Sequence, residues 1–248
     1  MTTNNRWCIV TTLRSGSNYL ADILQENLLK DCSYVMHLGE LCLPNNWGYQ
    51  DSQNSELINF GRHDSVERIE FTNLLFDKLE NDSKIGAVMR YLPPIQSFEL
   101  EHIHILKKLQ SLNFKFIKLN RNIFDKTISL SFASCVNLWH RIKTENGDVI
   151  TGDGNSTYID NIVPIDIPLL TFAYRFGEQK LQEYYGEMYL KNIEYITMTY
   201  ETLHDDCQLN NINSQIFTPQ QKLYDKPYES LISNYSAITE FYKRITNE

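Results

Sequence analysis

The sequence predicts an α/β protein, a mainly parallel sheet with helices on both faces. Short runs rich in Val, Ile and Phe alternate with longer segments whose apolar residues recur at three and four, the order that a parallel sheet with crossover helices requires. Two polar, turn-rich stretches, near 41–65 and 143–165, interrupt that alternation. No internal repeat and no linker rich in Pro, Gly or Ser divides the 248 residues. The chain therefore reads as a single domain over 1–248, with insertions or mobile loops at those two places.

Taken in order, Arg6 to Thr12 (RWCIVTT) is a short buried strand. Asn18 to Leu29 carries Leu20, Ile23, Leu24 and Leu28 at helical spacing. Tyr34 to Leu38 is a second extended segment. Residues 44–63 are polar and rich in turn formers, an insertion or lid whose Trp47 and Tyr49 either form a stacking wall for a ring or pin the segment to the core. Val66 to Leu79 returns to helical spacing, and Lys84 to Arg90 reads as an interior strand stopped by Pro93 and Pro94. A helix over Glu99 to Leu112 leads to the clearest strand, Phe114 to Leu119, and Asp125 to Arg141 reads as the next helix. Residues 144–163, with Gly147, Gly152 and Gly154, form a mobile loop or exposed hairpin. A helix over Pro168 to Leu190, a strand over Ile193 to Thr199 and a final helix over Ile238 to Ile245 complete the pattern.

Composition removes several function classes. With 42% hydrophobic residues, 22% charged, 10 Gly and 7 Pro, the chain is ordinary globular material. No run of 18 apolar residues supplies a membrane span, and the first residues lack the basic-then-apolar order of a signal peptide, so a cytoplasmic location is expected. Lys+Arg 23 against Asp+Glu 31 gives a net charge of −8, without the basic run that a nucleic-acid binder carries. A small anion held by a few local donors is compatible with that balance. Five cysteines, widely spaced and without a C-x-x-C pair, read as reduced and mostly buried thiols. His102 and His104, two apart on a helix, share no face; they are expected at the surface, and no metal constellation is present in the sequence.

The most informative stretch is CIVTTLRSGSNYL, Cys8 to Leu20. A buried strand runs into a turn of small residues and opens a helix, whose free backbone N–H groups and dipole make an anion site. Gly16 allows close backbone approach, Ser15, Ser17 and Asn18 add side-chain donors, and Arg14 adds a planar guanidinium suited to phosphate or sulfate oxygens. The G-x-x-x-x-G-K-[ST] spacing of the nucleotide-triphosphate loop is absent. The plainer alternative is a helix capped by Ser15 or Ser17 with Arg14 solvated. A second feature tells against that alternative: Arg121 ends a strand, with Ser129 eight residues on, and a loop that folds back brings both to one anion at the carboxyl edge of the sheet.

These two elements resemble the sulfotransferases that use 3′-phosphoadenosine 5′-phosphosulfate (PAPS), a family of P-loop-like fold. There an R-S-G-S/T turn grips the 5′-phosphosulfate, and an Arg followed eight residues later by Ser grips the 3′-phosphate. Arg14 to Asn18 match the first, and Arg121 with Ser129 match the second, with Asn122 and Asp125 fitting its R-[ND]-x-x-D opening. His37-Leu-Gly-Glu40 lies where trehalose-type members have a G-E segment holding a proposed base, Trp139-His140 resembles their Trp-His, and Tyr200-Glu201 looks like their Y-E-D-L segment. Lys222 to Tyr235 is similar to a C-terminal motif of carbohydrate-type members. Departures are Thr11-Thr12-Leu13 before Arg14, Asn18 in place of a second Thr, and Val88 where a lysine is expected, with Arg90 nearby.

The resemblance implies transfer of a sulfuryl group from PAPS to a hydroxyl of a small-molecule or carbohydrate acceptor, releasing PAP, with no metal. Arg14 would stabilise the bridging oxygen, Ser15, Gly16, Ser17 and Asn18 would supply loop donors, Arg121 and Ser129 would select the 3′-phosphate, and Lys222 either touches a donor phosphate or is solvated. Glu40 is the first choice of base and His37 its competitor; three apart on an unbroken strand, they point to opposite faces. His140 either reaches the site or packs in the core. Tyr200-Glu201 is expected to close the core and orient neighbouring loops. The rival readings are an ATP-dependent P-loop small-molecule kinase and a non-catalytic PAP-binding protein. Acceptor identity and oligomeric state, a homo-oligomer included, stay open.

Overall fold

In the computed structural model, residues 5–32, 35–41, 47–51, 57–60, 76–77, 79–81, 85–93, 100–136, 141–143, 149–151, 164–213 and 227–247 are described. The chain forms two compact units, the first from Met1–Arg121 with Leu181–Thr218, the second from Asn122–Lys180 with Pro219–Glu248.

The first unit is built on a seven-stranded sheet. Its strands are β1 (Arg6–Val10), β2 (Val35–Leu41), β3 (Trp47–Asp51), β4 (Leu57–Phe60), β5 (Gly86–Tyr91), β6 (Lys115–Asn120) and β9 (Tyr195–Thr199), in the order β4-β3-β2-β5-β1-β6-β9. From β2 to β9 all neighbours are parallel; β3 and β4 add an antiparallel edge. The parallel α/β architecture predicted from the alternating pattern is therefore present. Residues 47–51 and 57–60, inside the stretch read as an insertion, pair as strands and extend the sheet, short runs (WGYQD and LINF) whose polar, turn-rich flanks hide them in the sequence.

Each central strand divides its side chains between two cores, as period-two alternation requires. Cys8, Val10, Ala87, Met89, Tyr91 and Phe116 face one side, where they pack with Leu106 and Leu109 of α2 (Leu100–Ser111) and with Tyr189 and Leu190 at the end of α4 (Leu169–Leu190). Ile9, Val88, Ile117, Leu119 and Met198 face the other side, against Leu20, Ile23, Leu24 and Leu28 of α1 (Ser17–Asp31) and Leu203 and Cys207 of α5 (Leu203–Leu209). Val88 is fully buried there, which suits a valine and would exclude the lysine that the resemblance places nearby. Cys8, Cys32 and Cys207 are buried, while Cys135 is exposed; burial pushes the Cys207 thiol up to about 11, with Asp206 adding to the shift. His102, expected at the surface, is buried against the rings of Tyr91 and Tyr189, whereas His104 is exposed. Counting positions along a helix does not reveal that its neighbouring face is lined with aromatic rings.

The second unit holds α3 (Ile123–Val136), the amino-terminal part of α4, a small hairpin of β7 (Arg141–Lys143) and β8 (Val149–Thr151), α6 (Tyr228–Leu231) and α7 (Tyr235–Thr246). Its core joins Ile128 and Phe132 of α3 to Ile167, Phe172, Leu231, Ile232 and Ile238. The helix predicted to run to Arg141 is described to Val136, and Arg141 opens β7, which pairs with β8 at residues 149–151; residues 144–148 and 152–163 of the predicted loop lie outside the described residues. Trp139 and His140 lie outside the described residues. No helix among the described residues is long and apolar enough to cross a membrane.

At the amino-terminal end of the first unit's sheet, Arg6 is buried. It donates to the carbonyl of Ile85 at 3.3 Å, of Leu112 at 3.0 Å and of Leu79 at 2.7 Å, tying the start of β1 to segments on both sides. Removing it leaves carbonyls without their donor, each costing about 1–3 kcal/mol. Arg6→Ala is expected to lower the unfolding free energy by about 3 kcal/mol or more in a urea titration; a loss below about 1 kcal/mol would show that these carbonyls recruit water instead.

Candidate functional site

The chain leaves β1 toward β2 on one side of the sheet and leaves β6 toward β9 on the other. The carboxyl ends of β1 and β6, which pair directly, thus form a topological switch point, the crevice where ligands collect in open α/β sheets. Arg14 to Asn18 follow β1, and Arg121 follows β6.

The turn after β1 is held from several directions. The Thr11 amide donates to Tyr91 O at 3.1 Å, and the Thr11 hydroxyl contacts the carbonyl of Leu119 at 3.2 Å and the hydroxyl of Ser15. Leu13 N donates to Gln182 Oε1 at 3.3 Å, while Gln182 Nε2 donates to Pro93 O at 3.1 Å. Within this frame Arg14 adopts φ 62° and Gly16 φ 87°, both left-handed. For a non-glycine residue that conformation costs roughly 1–2 kcal/mol, and such strain persists only where the surroundings over-determine it. Left-handed residues alternating with ordinary ones also turn successive backbone amides toward one side, the arrangement of an anion nest.

Gly16 is the N-cap of α1, and among the described residues no side chain caps that helix; its first turn contains no acidic residue. The amides of Ser17 and Asn18 are thereby left for a ligand, and the positive end of the dipole is not neutralised by an acidic residue of that turn. Ser15 and Ser17 are buried, and Asn18 is exposed. The Ser15 hydroxyl is engaged by Thr11, so its contribution to an anion runs through the backbone more readily than through the side chain.

Arg121 closes the site. Its Nη1 donates to the carbonyl of Arg14 at 2.9 Å, so the residue that ends β6 grips the turn that ends β1. Its guanidinium lies 4.5 Å from the centre of the Tyr200 ring, and its Nε is buried without a hydrogen-bond partner. Among the described residues no carboxylate pairs with it. A cation stacked, half-buried and unneutralised beside a strained turn is the electrostatic signature of an anion site.

Two contributors were not assigned a ligand-facing role by the sequence. Arg90, near the carboxyl end of β5, donates to Asn18 Oδ1 in the first turn of α1, bringing a third guanidinium to the same edge. Tyr200 opens the single turn of 3-10 helix after β9, and its ring lies against Gly16 so closely that a Cβ built there would run into it. Only register could have exposed them: Arg90 pairs with Ile9, and Asn120 and Thr199, the residues just before Arg121 and Tyr200, pair with each other.

The remaining sequence-predicted residues are placed as follows. His37 and Glu40 lie on β2, whose backbone register against β5 slips by one between them: His37 pairs with Val88 and Glu40 with Arg90. The alternation expected of an unbroken strand is interrupted there, so a spacing of three does not by itself set the two residues on opposite faces. Ser129 belongs to α3 of the second unit, where it is buried, as is Lys126 one turn earlier. Lys222 lies outside the described residues. The structure thus brings Arg14, Ser15, Gly16, Ser17, Asn18, Arg90 and Arg121 together, with the backbone of Glu40 beside that of Arg90.

Compared with known proteins, the chain matches no protein-family model and no curated protein sequence.

Gly16 tests the geometry directly. Gly16→Ala combines a left-handed φ with a collision against the Tyr200 ring. It is expected to cost about 2 kcal/mol or more of stability and to abolish phosphate or nucleotide binding measured by calorimetry; wild-type binding in this variant would show that the turn is not the anion cradle.

Proposed function

We propose that the chain is a PAPS-dependent sulfotransferase that moves a sulfuryl group to a hydroxyl of a small-molecule or carbohydrate acceptor and releases PAP. The observation that carries this reading is the bond from Arg121 to the carbonyl of Arg14, which joins two cationic elements at the β1/β6 switch point. Two anion-binding elements suit a donor with two separate anionic groups better than a single inorganic ion. The buried, unpartnered Arg121 Nε and the uncapped start of α1 fit such a donor. The thiols accord with a cytoplasmic setting, which is part of the proposal.

Sulfuryl transfer, like phosphoryl transfer, asks for positioning and for charge stabilisation at the leaving oxygen. In this reading the bond from sulfur to the bridging phosphate oxygen breaks, its electron pair stays with PAP, and the acceptor oxygen bonds to sulfur while its proton passes to a base. Arg14 and the amides around Gly16 stabilise the negative charge that develops on the bridging oxygen. Asn18 and Arg90 hold the sulfuryl end, and Arg121 takes the 3′-phosphate. Glu40 accepts the proton, with His37 the alternative base. The pairing of Glu40 with Arg90 sets the strand of the base next to a residue bonded to the anion turn.

The test is turnover of labelled PAPS over a panel of hydroxylated acceptors, with PAP affinity measured in parallel. Arg14→Ala is expected to reduce turnover by at least ~100-fold while weakening PAP binding less than Arg121→Ala does. Loss of binding without loss of turnover at saturation would contradict those roles. Glu40→Gln is expected to depress turnover and spare PAP affinity, and full activity in that variant would move the base to His37. Stabilisation by ATP with Mg²⁺ but not by PAP would favour a kinase instead. PAP binding with no turnover over the acceptor panel, in wild type as in the three variants, would favour a non-catalytic binding protein.

A further inference from the structure

We propose that Tyr200 is a positioning residue whose ring sets the separation between the anion turn at Gly16 and the guanidinium of Arg121, and through it the span of ligand the site accepts. The inference rests on the two-anion donor of the proposed function and adds to it the element that measures the distance between the two anions.

Four observations converge on the ring. Gly16 meets it so closely that no Cβ fits between them. Arg121 stacks on it at 4.5 Å. Arg121 also donates to the carbonyl of Arg14, so turn, arginine and ring close a circuit in which none of the three can shift alone. The ring's own backbone is fixed as well: Asp206 Oδ2 accepts from Thr199 N at 2.7 Å and from the Thr202 hydroxyl at 3.1 Å, bracketing Tyr200 on both sides. Register supplies the reason for the arrangement. Asn120 pairs with Thr199, so Arg121 and Tyr200 leave neighbouring strands at the same level.

A flat ring held this way acts as a spacer. An arginine side chain is long and rotamer-rich, and without a surface to stack on it would sample many positions. Stacking removes that freedom before the ligand arrives, which favours a ligand whose second anion falls where Arg121 is held. The role belongs to the ring face and not to the hydroxyl, which separates it from a direct ligand contact.

The experiment measures affinities for PAP, which carries two separate anions, and for 5′-AMP, which carries one, in wild type, Tyr200→Phe and Tyr200→Leu. Wild type is expected to prefer PAP, and Tyr200→Phe to stay within about twofold of it for both ligands. Tyr200→Leu is expected to lose about tenfold or more for PAP and less than about threefold for 5′-AMP, so the preference itself collapses. A purely structural role would lower both affinities together and leave the ratio unchanged, which overturns the proposal. Equal losses in Tyr200→Phe and Tyr200→Leu would give the role to the hydroxyl and overturn it too. Should Tyr200→Leu not fold, Tyr200→Met fills similar volume without a π face and is read in the same way. If wild type binds neither nucleotide, the sulfotransferase reading falls and this inference with it, whereas wild-type binding with an unchanged ratio in the variants sinks only the spacer.

Discussion

Everything at the carboxyl edge of the sheet depends on one hydrogen bond, from Arg121 to the carbonyl of Arg14. It is a bond between strand exits. β1 and β6 are direct neighbours, so the residues that leave them meet, and the chain's divergence to opposite sides opens a crevice just where they do. The bond also explains how a left-handed arginine is tolerated. Thr11 and Leu13 are tied to other parts of the unit, Ser15 to Thr11, and Arg121 takes up the carbonyl that the left-handed turn exposes. Strain at Arg14 is distributed over a frame that is already fixed.

The electrostatics are local. A chain with a net charge of −8 concentrates three arginines at one sheet edge, beside a helix start with no acidic residue in its first turn. Partial burial makes each charge count for more than it would in bulk water, and an unneutralised guanidinium next to free amides is costly unless an anion shares the space. That asymmetry links structure to function. The site is organised in advance for negative charge, and sulfuryl transfer is a reaction in which negative charge appears on a leaving oxygen.

Much of the scaffold was legible because its cause is periodic. β1, β5, β6 and β9 are dense apolar runs, and α1 and α2 show apolar residues at three and four, so their order along the chain already describes a layered α/β unit. Where the cause is not periodic the reading runs out. The strands at 47–51 and 57–60 are only five and four residues long and sit among polar, turn-rich neighbours, too short a run for periodicity to single out. The strand from Arg141 follows from pairing with residues 149–151, which helical spacing upstream does not reveal. His102 is buried by rings contributed from β5 and α4, invisible from its own helix.

The site divides in the same way. The turn from Arg14 to Asn18 and the cation at 121 can be read as motifs, since backbone amides, glycine and arginine each announce anion chemistry. Tyr200 is visible as part of a family-like segment, but its contact with the turn, like that of Arg90, comes from register between strands far apart in the chain. The bulge between His37 and Glu40 is likewise a property of pairing with β5 and not of either residue. The most direct measurement of the central claim is a ³¹P NMR titration with PAP, whose 5′- and 3′-phosphates give separate resonances. Both signals shifting with one common saturation curve is the result the account predicts. A shift confined to one phosphate, or to neither, would contradict it.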